Sequence, residues 1–223
     1  MPKNYPVIAP FEVVVHNTPH DCWISFLGKV YNITLLIKRH NGEKCIKPLL
    51  AMAGKDVSHW FDPKTGDIKL HVHPETGVKV AYCPHGPLPD VPLEVPATSW
   101  QGLDPKPWWK DDDKYQIGWL SQKVRPIRII NMLTLSEVTM NVCCEDTFFR
   151  ILERYKLFNS DAETYTWRYL DTNLDMSKTL EENGIPDERE KFTELGLPPN
   201  FYVPSIFLYY NDDLKWALKD NED

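Results

Sequence analysis

The 223-residue sequence predicts an α+β protein made of two modules with a proline-rich segment between them. All seven histidines lie between His16 and His85, and seven prolines lie between Pro84 and Pro107. Beyond residue 123, apolar runs follow the order strand, strand, helix, strand, turn-rich segment, strand. The two halves therefore differ in composition and pattern, and we expect them to do different jobs.

Composition and charge limit the classes of function. Apolar residues make up 42% of the chain and aromatic residues 12%, which is typical of globular proteins. The net charge of −7 is uneven, because residues 1–90 carry 10 basic and 8 acidic side chains whereas residues 124–223 carry 11 and 19. An acidic C-terminal half disfavours nucleic acid and anionic membrane surfaces as partners.

The cysteines and the N-terminus indicate a reducing compartment. The five cysteines have no C-x-x-C spacing, so reduced thiols are expected. Cys143 and Cys144 are expected on alternate faces of a strand. The sequence begins without the pattern of a signal peptide, and no apolar run reaches the roughly 18 residues of a membrane span. We therefore expect a soluble intracellular protein.

The C-terminal module has a readable order of elements. "RPIRIINML" and "SEVTMNVCC" are predicted to form a hairpin with a turn at residues 134–136. A helix follows, with Asp146 or Thr147 as its N-cap, and the apolar run "PSIFLYYND" predicts a last strand. This order is that of a β-grasp fold. "WRYLDTNLDMSKTLEENGI" resembles the ubiquitin-like signature, which implies a ubiquitin-like domain over about residues 124–212.

The end of this module predicts an interaction domain rather than a protein modifier. Ubiquitin-like modifiers are conjugated through a flexible tail that ends in two glycines. Here the last strand runs into "NDDLKWALKDNED", with no glycine after Gly196. Conjugation through the C-terminus is therefore not expected.

The segment between the modules is predicted to be a linker over residues 84–122. Its prolines cannot propagate a helix or a central strand. Trp100, Trp108 and Trp109 need somewhere to bury their rings, so we expect an ordered linker with Trp108 and Trp109 packed on one module. The sequence leaves open whether "WWKDDDK" is an aromatic anchor or a docking site for a partner.

The histidine module combines a short hairpin with small helices. "CWISFLGKVYNIT" predicts two strands around Gly28, and the apolar spacing of "LLIKRH" and "IKPLLAMAG" predicts helices, with Gly54 near a helix end. These residues resemble the cytochrome b5-like haem-binding domain over about 70 positions. The matching positions are Trp23, Gly28, Val30, Tyr31, Ile33, Thr34, Ala53, Gly54, Asp56 and Phe61. With the second module, the chain resembles the cytochrome b5 domain-containing protein 1 family, a ciliary family.

The resemblance implies haem b with His40 and His71 as the axial ligands of the iron. The pocket is expected to be lined by Ile33, Leu36, Ile46, Leu50, Val57 and Phe61. The chain departs from the family pattern at "HNGE", where Asn41 replaces a proline and Glu43 replaces a glycine beside the expected porphyrin edge. A longer loop also places His71 ten residues after Phe61.

Several alternatives for the histidines stay open. His73 is the rival of His71, since both face the same way on an extended chain, and together they could bind zinc or copper. His40 could simply end a helix and interact with its dipole. His59 is expected to bond locally, and we expect surface or turn positions for the remaining histidines, His16, His20 and His85.

The expected organisation is a cytochrome b5-like domain at 8–83, the linker at 84–122, a β-grasp domain at 123–213 and an acidic tail at 214–223. No nucleophile–base set, P-loop or dinucleotide fingerprint occurs, so we do not expect an enzyme. The resemblance implies a ciliary or axonemal structural subunit whose partners are axonemal proteins, located in the cytoplasm and the cilium. The alternative is a soluble haem electron carrier or redox sensor served by a separate reductase.

Overall fold

The computed structural model describes residues 5–91 and 106–211. The chain forms two compact units, Met1–Ser121 and Gln122–Asp223, which are described separately below. Both units combine strands with short helices, so the predicted α+β class is confirmed.

The first unit is built from short elements. Its strands are β1 Val7–Ile8, β2 Asn17–Thr18, β3 Asp21–Phe26, β4 Lys29–Asn32, β5 Leu70–Val72, β6 Lys79–Ala81 and β7 Gln116–Leu120. Its α-helices are α1 Pro10–Val15, α2 Thr34–Arg39, α3 Lys47–Ala51 and α4 Asp112–Tyr115. Single 3₁₀ turns lie at Lys44–Ile46, Ser58–Trp60 and Trp108–Lys110.

The predicted hairpin around Gly28 is present as β3 and β4. Leu27 and Gly28 both have positive φ angles, 49° and 78°, which is the backbone of a two-residue hairpin turn. The two strands form the centre of a five-stranded sheet in the order β1-β7-β4-β3-β2. Their inward side chains begin the core of the unit, and Ile24 is completely buried.

Part of the predicted linker belongs to the fold of the first unit. Strand β7 pairs antiparallel with β4 and parallel with β1. Trp108 and Trp109 are 1% and 8% exposed and pack in the core of this unit, which confirms their predicted burial. Trp109 Nε1 also donates a hydrogen bond of 3.2 Å to Asp67 Oδ1. Residues 106–121 are therefore not a linker, whereas Trp100 lies outside the described residues.

The second unit has the element order that the sequence predicts, with one short strand and one helix more. Its strands are β8 Val124–Asn131, β9 Ser136–Cys143, β10 Tyr165–Tyr169, β11 Thr172–Asn173 and β12 Ser205–Tyr210. Its helices are α5 Phe148–Tyr155 and α6 Arg189–Glu194, with a 3₁₀ turn at Ala162–Thr164. Helix α6 was not predicted, and none of its side chains is buried. The predicted acidic tail lies outside the described residues.

The second unit has the β-grasp topology. Its sheet has the order β11-β10-β12-β8-β9, with β12 parallel to β8 and the other neighbours antiparallel. Helix α5 begins after Thr147, as predicted, and its buried side chains join the core cluster of the sheet. The cluster also contains Trp167, Leu180 and Ile185 of the ubiquitin-like signature. The predicted ubiquitin-like fold is thus confirmed.

Two features of the whole chain bear on its environment. None of the five cysteines, all of which lie in the described residues, forms a disulfide; Cys143 is buried and Cys144 half-buried. Within residues 5–91 and 106–211, no helix combines the length and the hydropathy that a bilayer crossing needs.

Candidate functional site

His40 lies where helix α2 ends. Its backbone N–H donates to Leu36 O at 3.1 Å, and the chain then turns through Gly42, whose φ is +85°. This left-handed backbone is one that glycine adopts without steric cost. The Glu43 N–H closes the turn on His40 O at 3.1 Å. The position is the helix end that the sequence indicates.

The turn brings the side chains of Glu43 and Cys45 to His40. Glu43 Oε2 lies 3.0 Å from His40 Nδ1 and accepts a hydrogen bond of 3.3 Å from Cys45 Sγ. The contact with His40 lowers the pKa of the Glu43 carboxyl, with the Cys45 bond next in importance. Burial raises the pKa of the Cys45 thiol to about 11, and the bond to Glu43 adds to this shift. Sequence reasoning missed Cys45 and expected Glu43 at a porphyrin edge.

The other ring nitrogen of His40 is unused. Nε2 is buried and has no hydrogen-bond partner among the residues that the structure describes. A neutral imidazole that donates from Nδ1 keeps its lone pair on Nε2, so this nitrogen is available to a metal. The His40 side chain is only 17% exposed, which separates it from a freely solvated helix-end histidine.

His71 lies in strand β5, opposite Val80 of β6. The neighbours Leu70 and Val72 are exposed, whereas His71 is half-buried and its ring meets Tyr82 edge-on with the centroids 5.4 Å apart. His71 Nδ1 is buried without a partner within the described ranges. His71 therefore also carries a buried ring nitrogen that is free to bind a metal.

His73 has a different environment. Its Nδ1 accepts from the backbone N–H groups of Glu75 and Thr76, each at 3.3 Å. These bonds hold the turn between β5 and β6, so this nitrogen is already committed to the hairpin. The structure thus gives His71 and His73 different environments, although the sequence places both on the same face of an extended chain.

The remaining histidines have local contacts. His16 stacks on Trp23 with the ring centroids 3.6 Å apart, and its Nδ1 is bonded to Asp21. His59 meets the rings of Trp60 and His85 edge-on. His20 and His85 are exposed, as expected for surface or turn positions, whereas His16 is half-buried.

The expected lining of the haem pocket is apolar and buried. Five of its six residues are buried and Leu50 is partly buried; the five are Ile33, Leu36, Ile46, Val57 and Phe61. They form one cluster with Trp60 and Trp108. A cavity of about 460 Å³ is lined by Asp62, Asp67, Asp90 and Trp109 among others, and neither His40 nor His71 lines it.

The ring nitrogens of His40 and His71 are of a type that binds haem iron, although the two side chains are not in contact with each other. His40 and His71 each present an unsatisfied buried ring nitrogen, and imidazole is a normal axial ligand of haem. Among the described residues, no hydrogen bond or ring contact connects the two side chains. The structure instead brings His40 together with Glu43 and Cys45.

Known proteins resemble the two units of the chain separately. Residues 10–120 match the family described as "Cytochrome b5-like Heme/Steroid binding domain". This match ends at Leu120, the last residue of β7, so it includes all but the last two residues of the predicted linker. Among solved structures, a cytochrome b5 of Ostreococcus tauri virus 2 is 35% identical, with a TM-score of 0.20, and covers 23% of this chain and 62% of its own.

A second solved structure, the ubl5 domain from the polyubiquitin locus of T. thermophila, is 16% identical with a TM-score of 0.31. It covers 41% of this chain and 99% of its own. Similarity over nearly the full length is found to "Cytochrome b5 domain-containing protein 1" of Xenopus laevis. That protein is 47% identical over 206 residues, which are 92% of this chain and 94% of the relative. The chain therefore belongs to the cytochrome b5 domain-containing protein 1 family.

Proposed function

We propose that the chain is a non-catalytic subunit of the cilium or axoneme that acts through protein contacts and binds haem b in its first unit. The ciliary location rests on the family resemblance in the sequence. The haem proposal rests on side-chain geometry and can be tested separately. Nucleic acid and membranes are not among the proposed partners, because the C-terminal half is acidic.

One observation carries the haem proposal, namely the state of the His40 ring. Nδ1 is bonded to the Glu43 carboxylate at 3.0 Å, and Nε2 is buried without a partner in the described part of the chain. A carboxylate on the far nitrogen fixes the ring orientation and makes the near nitrogen more basic, as in many metal sites. His71 would supply the opposite ligand through its own ring.

Haem held in this way supplies one-electron chemistry. His40 and His71 would both hold the iron through imidazole nitrogens, which would leave little opportunity for a small molecule to bind it. This chain would hold the group through His40 and His71 and shield it with the apolar side chains of the core cluster. Such a site suits a carrier or a sensor, and this supports the non-catalytic assignment.

Haem content tests the proposal directly. The full chain, expressed with a haem precursor and purified, should contain about one haem per chain. His40→Ala should lose it, while the matched control His59→Ala should keep it, since His59 only contacts neighbouring rings. Equal haem content in His40→Ala and the parent chain would refute His40 as the ligand.

The second unit supports the role in protein contacts. On the outer face of its sheet, Tyr209 is 38% exposed and Arg168 lies 5.3 Å from the centre of that ring. Aromatic and arginine side chains are enriched at protein interfaces. Proximity labelling from the tagged full chain in ciliated cells should mark axonemal proteins, and purely cytosolic labelling would contradict the proposal.

The alternative function, an electron carrier, requires a second protein that supplies electrons. The sequence has no flavin or nicotinamide fingerprint, so electrons would have to come from a separate reductase. Haem-loaded chain that is reduced within seconds by a cytochrome b5 reductase and NADH would favour this alternative. Haem that stays oxidised under those conditions, together with axonemal labelling, would favour the structural subunit.

A further inference from the structure

The turn after helix α2 gathers three side chains of metal-binding type. A ring nitrogen of His40, a carboxylate oxygen of Glu43 and the sulfur of Cys45 all lie within 4.8 Å of one another. Glu43 Oε2 is the shared centre, 3.0 Å from His40 Nδ1 and 3.3 Å from Cys45 Sγ. Imidazole, carboxylate and thiolate are together the ligand types of zinc.

The local backbone fixes this arrangement. Helix α2 ends on the bond from His40 N to Leu36 O, and Gly42 reverses the chain with its positive φ. The 3₁₀ turn Lys44–Ile46 then places Cys45 back against Glu43, and its Ile46 side chain is anchored in the buried core. The three donors come from a segment of six residues whose ends are tied to the fold.

We propose that His40, Glu43 and Cys45 bind a zinc ion or a similar divalent cation through Nδ1, a carboxylate oxygen and the thiolate. Water fills the fourth position, as in zinc sites with three protein ligands. Donors on one tetrahedral zinc lie about 3.3–3.6 Å apart, given the usual bond lengths. The observed separations of 3.0 and 3.3 Å need to widen only slightly to admit the ion. The ion takes the place of the protons that these atoms now share.

Zinc at this site would compete with haem for His40. A neutral imidazole has one lone pair, which lies on Nδ1 or on Nε2 but not on both. Zinc uses the Nδ1 face beside Glu43, whereas the proposed haem uses the buried Nε2. This competition rests on the proposed haem function, but the zinc site does not, because its donors are already together.

Cobalt(II) tests the site in the full-length, haem-free chain, since a thiolate bound to cobalt gives a charge-transfer band in the near ultraviolet. We expect about one cobalt per chain, with this band and the intense visible bands of tetrahedral cobalt, displaced by one equivalent of zinc. Cys45→Ser should abolish the charge-transfer band, and Glu43→Gln should weaken binding about tenfold or more. Cys83→Ser is the matched control, because Cys83 is also a half-buried cysteine outside any disulfide, and it should bind normally.

The outcomes separate this site from the haem site. Cys45→Ser should lose cobalt and keep haem, His71→Ala should lose haem and keep cobalt, and His40→Ala should lose both. Circular dichroism melting shows whether each variant is folded, and the exposed Glu43 provides the variant least prone to misfold. No charge-transfer band in the parent chain, or an unchanged band in folded Cys45→Ser, would overturn the proposal.

Discussion

At the scale of single residues, the sequence predicts which histidines could bind haem but not the contacts that those histidines make. The family pattern identifies His40 and His71 from the sequence. Where the Glu43 carboxylate goes depends on the φ of +85° at Gly42, and no pattern of residue types specifies that angle. His73 was a rival of His71 because side chains alternate between the two faces of a strand, so positions 71 and 73 lie on the same face. Two backbone hydrogen bonds to the Nδ1 of His73 distinguish it from His71, whose Nδ1 is buried without a partner among the described residues.

The environment of Asp187 predicts how the stability of the second unit changes with pH. The hydrogen bond from the Arg189 guanidinium, 2.7 Å long, holds the pKa of this carboxyl well below its usual range. A pKa that folding lowers adds stability above the unfolded value of about 4, and this stability is lost as pH falls below it. The urea midpoint of the second unit, followed by the methyl resonances of Ile127 and Ile129, should therefore fall from pH 5 to pH 3.

The pH prediction has a matched control. Asp187→Asn removes the titrating group and should flatten this part of the pH dependence, whereas Asp171→Asn, at an exposed position, should leave it as in the parent chain. An Asp187→Asn chain with the full pH dependence would show that other carboxyls carry the effect.

At the scale of elements, strands with clear alternation could be predicted, and a strand that depends on its neighbours could not. In β8, buried residues alternate strictly with half-buried ones, and the sequence shows this alternation at Ile127 and Ile129 but not at the buried Arg125 and Asn131. In β7, Gly118 interrupts a five-residue run that follows the proline-rich segment, so no strand is indicated. The pairing of β7 with β4 and β1 depends on tertiary contacts rather than on the local sequence.

A substitution at Gly118 tests the pairing of β7 with β1. A Cβ at this position would lie 2.4 Å from Ile8 Cδ1 and 2.8 Å from Pro6 O. Gly118→Ala should therefore push β1 off β7 and cost about 1–3 kcal/mol, the usual range for overpacking. The amides of Trp119 and Ser121, which donate to Pro6 O and Ile8 O, should exchange faster with deuterium.

A double substitution separates the clash from other effects. Ile8→Ala removes the atoms nearest to the added methyl group, so Ile8→Ala with Gly118→Ala should cost less than the sum of the single changes. Additive costs, with unchanged exchange at Trp119, would contradict the account of β7.

At the scale of the whole molecule, the two-unit organisation could be predicted from composition, but the position of the boundary could not. Histidines, prolines and acidic residues separate along the chain, and the second unit has the predicted topology. The proline count made residues 84–122 resemble a linker. The structure instead uses Trp108, Trp109 and Tyr115 from this segment in the core of the first unit.

Two fragments test this boundary. A chain of residues 1–121 should unfold cooperatively on heating, as judged by near-ultraviolet circular dichroism. A chain of residues 1–91 should not, because it lacks β7 and two tryptophans whose loss from a core typically costs about 3–5 kcal/mol each. If both fragments melt cooperatively at the same temperature, residues 106–121 are not part of the cooperative unit.

The spectrum of the haem-loaded full chain tests most directly whether His40 and His71 bind the iron. We expect a low-spin bis-histidine spectrum by visible absorption and electron paramagnetic resonance. It should disappear in His40→Ala and in His71→Ala and remain in His73→Ala, since His73 Nδ1 is occupied by backbone bonds. A spectrum lost in His73→Ala but kept in His71→Ala, or no low-spin spectrum in the parent chain, would contradict this assignment.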